Sequence, residues 1–206
     1  MSTVENAPSR QPVRLFSALA IAVSWFILWC LTPGITDRGP VRLVVQEDTL
    51  VVFLESLIAG LLVIAIAILQ RTHTRELFAP SRQRFLYVIP VVLALALPLH
   101  YELEFPVLLY IFWMTVSVFW QDYLTFGLLQ RHLAARLPSR AVIPAVAVLF
   151  ALGHVILLPD KFGLLPNPIP ALSMLALGLL LAWLRHRFTT MHLILTLHLS
   201  FYFVFA

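Results

Sequence analysis

The chain has 206 residues, of which 61% are hydrophobic and 12% charged, and its mean hydropathy is +0.92. Soluble domains carry roughly 45–50% apolar and about 25% charged residues, so this composition exceeds what one globular core can hide and predicts an integral membrane protein. The net charge of +4 comes from basic residues set between apolar runs, and Cys30 has no partner for an internal disulfide, which excludes nucleic-acid modules and disulfide scaffolds.

Seven apolar runs follow one another along the chain: residues 15–31, 50–69, 85–99, 107–129, 141–158, 169–184 and 191–206. The first follows Arg10 and Arg14 much as the core of a signal peptide follows its basic start. It is too long for most such peptides and no small-residue cleavage site follows, so a retained first helix is expected. Barrel strands would alternate apolar and polar residues over roughly ten positions, so these continuous runs predict an all-α transmembrane helical bundle of about seven helices. The connections at 32–49 and 70–84 read as ordinary loops, and nothing divides residues 1–206 into more than one membrane-embedded domain.

Orientation follows from the Lys and Arg residues of the connections. With the N-terminus inside, inner segments hold Arg10, Arg14, Arg71, Arg75, Arg82, Arg84, Arg131, Arg136, Arg140, Arg185 and Arg187, whereas outer segments hold only Arg38, Arg42 and Lys161. This bias predicts a plasma or inner membrane protein with a cytoplasmic N-terminus and an outer C-terminus.

An ionisable group at the centre of a lipid-facing helix costs about 2.5–3.5 kcal/mol, so each one needs a partner, a cavity or a function. Glu55 lies near the outer end of the second run and His192 near the inner end of the last; both read as residues reaching for the interface, Glu55 with a loop arginine within reach. Gln121 and Asp122 in the fourth run, His154 in the fifth and His198 in the seventh differ, because they fall on three helices and carry complementary chemistry. A carboxylate takes a proton from water, an imidazole binds metal or polarises a carbonyl, and an amide orients water. That is a hydrolytic inventory. The same residues could instead form an interhelical hydrogen-bond cluster, typically worth about 0.6 kcal/mol per contact. With Glu55 they could also line the proton or ion pathway of a small transporter, although no inverted repeat accompanies them.

The order and setting of these residues resemble the CPBP group of intramembrane proteases, also called the Abi or CAAX protease 2 family. The first motif, E-E-x-x-x-R followed by Gly, corresponds to Gln121-Asp122-Tyr123-Leu124-Thr125-Phe126-Gly127; the second, F-x-x-x-H, to Phe150 through His154; the third, H-x-x-x-N, to His198 through Tyr202. The resemblance covers residues 110–206. Gln121 stands where the family has the glutamate regarded as the water-activating base, Asp122 replaces the second glutamate, Phe126 the arginine and Tyr202 the asparagine. The lost arginine and the neutral amide are physically coherent, since an uncharged Gln121 calls for no buried guanidinium.

The resemblance implies an intramembrane endopeptidase whose catalytic residues are Gln121, Asp122, His154 and His198. Asp122 would serve as base, Gln121 would orient water, and the two histidines would polarise the scissile carbonyl. His154, His198 and Asp122 are also a donor set for a catalytic zinc with an open position, and the same groups work without metal. Implied partners are the lipid bilayer and a membrane protein or peptide substrate, with no nucleic acid; the oligomeric state is left open. The losses at positions 121 and 126 keep a second reading in play, a degenerate homologue that binds a membrane segment without cutting it.

Overall fold

The computed structural model describes residues 11–35, 40–102 and 105–206. Arg10, Arg38 and Glu104 lie outside the described residues, as does the side chain of Arg14. Nine helices and no strands are found among the described residues: α1 (Gln11–Trp29), α2 (Asp48–Leu69), α3 (Arg71–Leu77), α4 (Arg82–Leu99), α5 (Val107–Ala134), α6 (Ser139–Leu157), α7 (Pro159–Phe162), α8 (Ile169–Arg187) and α9 (His192–Val204). Every apolar run becomes a helix. Five of them (α2, α4, α5, α6, α8) are long and apolar enough to cross a membrane, while the apolar parts of α1 and α9 are shorter.

The helix ends differ from expectation in ways that have local causes. α5 does not stop at Leu129; it runs 28 residues to Ala134, because a π-helical segment at Tyr123–Leu129 leads into a basic last turn that continues the helix beyond the apolar stretch. α3 forms inside the 70–84 connection expected to be a plain loop, and the short α7 inside the connection before α8. α2 starts where Glu47 caps it, Oε1 accepting from the Thr49 amide and Oε2 from the Leu50 amide. The hydrogen bond from Thr49 and the backbone amides hold the Glu47 carboxyl below its ordinary value.

Connections sort to two ends of the bundle. At one end α3 is tied to α5 through His73 and Thr74, the Leu77 carbonyl accepts from the Met191 amide, and Gln130 donates to the Ala182 carbonyl. At the other end the turn after α1 is fixed by Trp113, whose indole donates to the Pro33 carbonyl at 2.8 Å, and by Glu55, which accepts from the Gly34 amide at 2.9 Å. Gly34 has φ +69, a left-handed conformation suited to glycine. Glu55 thus serves a backbone amide; of the loop arginines, Arg42 pairs with Asp48 and Arg38 lies outside the described residues.

The core is aromatic. Trp29, Trp120, Tyr123, Phe126 and Phe150 are fully buried, with α1 supplying Trp25 and Trp29 from outside the motif-bearing half. α6 and α8 approach closely through small residues: a Cβ on Gly178 would lie 3.1 Å from the Ala147 carbonyl oxygen and 3.1 Å from the Phe150 ring. Leu61, Ile68, Val91, Leu95, Leu108 and Leu172 form part of an exposed apolar belt, as expected for a surface facing lipid.

Candidate active site

Asp122 closes the α-helical part of α5 just before the π segment, in the middle of a helix that reaches well past Leu129. The helix continues 12 residues beyond Asp122 to Ala134, so the carboxylate sits inside the bundle within hydrogen-bond reach of His198. π turns inside α-helices recur at functional positions because they re-aim side chains. Here the carbonyl of Gly127, within the π segment, accepts a hydrogen bond from Nε2–H of His73 at 3.0 Å. His73 is buried and was passed over in the sequence, since it sits in the polar stretch Arg71–Leu77.

His198 lies midway along α9 and meets Asp122 directly, its Nδ1–H donating to Oδ1 at 2.8 Å. Asp122 is 0% exposed and His198 2%, so the pair is sealed in the bundle. With Nδ1 protonated, a neutral His198 ring carries its lone pair on Nε2. The second carboxylate oxygen, Oδ2, is buried without a protein partner. A buried carboxylate oxygen left unpaired is costly, which marks this as a position held for chemistry or for an incoming donor. Tyr202 stacks on His198 with ring centroids 5.4 Å apart, one turn along α9.

His154 is set differently. Its Nδ1 lies 2.9 Å from the Phe150 carbonyl one turn earlier on α6. A carbonyl only accepts, so Nδ1 carries the proton and Nε2 offers a lone pair. The ring is boxed by Trp29 at 4.9 Å, Phe150 at 4.6 Å and Phe162 at 5.4 Å. Phe150 is the common wall, its ring also packing against His198 at 6.3 Å and Phe126 at 5.5 Å. Asp122 and His198 therefore meet by a hydrogen bond, and His154 joins them through Phe150. Phe126, where the family motif has arginine, fills that aromatic wall.

Gln121 faces the other way, into a cleft of ≈ 280 Å³ at the end carrying the Pro33 turn. Tyr110, Trp113, Ser117, Lys161 and Tyr202 also line it. The Gln121 carbonyl oxygen Oε1 is buried without a partner. Tyr110, Met114, Ser117 and Gln121 recur at helical spacing and share one face of α5, a signal present in the sequence but unused there.

Among the described residues no three His, Cys, Asp or Glu side chains are gathered so as to hold a metal ion. His198 commits Nδ1 to Asp122 and His154 commits Nδ1 to a backbone carbonyl, which leaves Nε2 as the nitrogen either ring would offer a ligand. His192 departs from its expected place at the interface. It is buried, its Nε2–H donating to the Ala79 carbonyl at 3.1 Å and its Nδ1 accepting from the Tyr87 hydroxyl at 3.2 Å. Both nitrogens are bonded, so it fastens α9 to the start of α4 and stands apart from the site.

The fold and its site define a polytopic helical membrane protein with a carboxylate–imidazole pair sealed in its interior. Residues 103–204 match the family model described as type II CAAX prenyl endopeptidase Rce1-like. The matched segment is the motif-bearing half of the chain, which carries the pattern of a family of CAAX-type membrane endopeptidases, and the resemblance read from the three motifs holds. No curated protein and no solved structure gives a significant match.

Proposed function

We propose that the chain is an endopeptidase that hydrolyses a peptide bond of a membrane-associated protein or peptide at the Asp122–His198 pair. The observation that carries this reading is the buried 2.8 Å hydrogen bond between Asp122 and His198, one residue along α5 from the cleft-lining Gln121. His198 accepts the proton of water at Nε2 and Asp122 holds the ring in the required tautomer, as a buried carboxylate does for a catalytic imidazole. Asp122 then works through the imidazole, because its Oδ1 is already committed to His198. The Gln121 amide orients substrate or water from the cleft floor. His154 lies across the Phe150 ring from His198, a neutral imidazole with an acceptor nitrogen. The arginine-rich end lies in the cytoplasm.

A second reading, binding without cleavage, is favoured by one feature. Gln121, where the family has its base, presents an unpartnered carbonyl oxygen at the cleft that suits a peptide N–H and cannot take a proton from water.

The test is cleavage of tagged membrane proteins by the purified chain in lipid, beside Asp122→Asn and His154→Ala. Asp122→Asn keeps the shape and removes the charge that holds His198; it should abolish cleavage while the melting temperature shows the variant still folded. Full activity in folded Asp122→Asn would refute the assignment, and a wild type that cuts none of the proteins sharing its membrane would favour binding.

A further inference from the structure

A second groove lies on the lipid-facing side of the bundle between α1 and α5. Ile21, Trp25 and Leu28 form one wall and Leu124, Leu128 and Leu129 the other, enclosing ≈ 220 Å³ with His132 at one end. Its depth is almost wholly apolar. Ser24, at its rim, spends its hydroxyl on the Ala20 carbonyl, and the Trp25 indole donates to Thr125 Oγ1 at 3.0 Å, so neither seeks a polar occupant. The seven steps from Ile21 to Leu28 rise about 10 Å along the helix, a length suited to part of one acyl chain.

The His132 end is cationic. The charged and titratable groups that reach His132 are Arg136, Arg131 and His73, and the carboxylate of Glu76 stands beyond them, its Oε2 3.4 Å from Nδ1 of His73. Arg136 is anchored there, Nε donating to Ser17 Oγ at 3.1 Å and Nη1 to the His132 carbonyl at 2.9 Å. Arg131 is exposed on the same turn. An apolar slot that opens onto arginines at a membrane face has the charge complement of an anionic phospholipid: a chain in the slot, a phosphate at the arginines. A zwitterionic lipid would also fill the slot but gain less at its end, because its own cation offsets the phosphate charge.

We propose that the α1–α5 groove is a binding site for an anionic phospholipid, with one acyl chain between Ile21, Leu28, Leu124 and Leu128 and the headgroup phosphate at Arg131 and Arg136. The site is separate from the Asp122–His198 pair and does not depend on the chain being a protease.

The experiment titrates the full chain in neutral detergent with phosphatidylglycerol, with phosphatidylcholine of the same chains, and with inorganic phosphate, reading the melting temperature. Phosphatidylglycerol should raise it saturably and at a lower concentration than phosphatidylcholine, while inorganic phosphate should not raise it. Arg131→Gln should weaken the half-saturating phosphatidylglycerol concentration about fivefold, the worth of one arginine near a charged headgroup. Leu128→Trp, which fills the groove from a partly exposed position, should remove the response. Arg84→Gln, at the start of α4 on the same arginine-rich end, should leave it unchanged. Equal stabilisation by phosphatidylcholine, reproduction by inorganic phosphate alone, or an equal loss in Arg84→Gln would each overturn the site. Should Leu128→Trp fail to fold, the contrast between Arg131→Gln and Arg84→Gln still decides.

Discussion

The two halves of the chain do different work. In the first half, 28% of the apolar stretch of α2 and 11% of that of α4 are buried; in the second, α5 reaches 50% and α6 39%. The family match falls on the buried half. α5, α6 and α9 carry every member of the candidate site, and helices α2 and α4 cover them while turning most of their surface to lipid. α1 is the exception, since Trp25 and Trp29 reach into the core and Trp29 walls His154. The comparison places the polar chemistry of the chain on buried helices, walled by aromatic rings drawn from several of them.

That contrast can be broken at Phe150, the ring shared by His154, His198, Phe126 and Trp29. Phe150→Ala should cost about 3–5 kcal/mol of stability, from lost contacts and the cavity left behind. Thermal unfolding in detergent would read it. A loss below about 1 kcal/mol would mean that the aromatic wall does not hold the site.

The helix start at Glu47 offers a weaker effect with a defined sign. Its folded carboxyl is held below the unfolded value, so the cap's contribution is complete above the ordinary carboxylate range and is lost as pH falls through the depressed folded value. Amide exchange at Thr49 and Leu50 should accelerate as pH drops through that window, after correction for intrinsic rates. Glu47→Ala should exchange fast at every pH.

Least of all is expected from the lipid-facing half. Leu95 is 77% exposed on α4, and Leu95→Ala should change stability by less than about 0.5 kcal/mol in the same unfolding assay. A larger loss would show that α4 packs against something other than lipid.

Hydropathy made all seven helices legible, because a membrane span cannot be built without an apolar run. The polar stretch Arg71–Leu77 gave no such signal, and its docking rests on tertiary bonds from His73 to Gly127 and from Thr74 to Tyr123. Asp122, His154 and His198 could be picked out because ionisable residues are rare and expensive in such runs. Their pairing could not: that Asp122 binds His198 while His154 turns to its own helix depends on side-chain direction, which spacing does not carry. Trp29 and Phe162 were invisible for the opposite reason, as aromatic residues in apolar surroundings look like every other core residue. His192 shows the limit of reading depth from position, since a residue near a span's end is buried when a neighbouring loop supplies partners for both nitrogens.

The central claim is that Asp122 fixes the tautomer of His198. Nitrogen-15 spectra of the chain labelled at histidine, in lipid, test it directly, with His198→Gln identifying the resonance. The account predicts a neutral ring with its proton on Nδ1, hydrogen-bonded strongly enough to shift that proton downfield, and loss of the shift in Asp122→Asn. A His198 ring protonated on Nε2 alone, or a spectrum indifferent to Asp122→Asn, would contradict it.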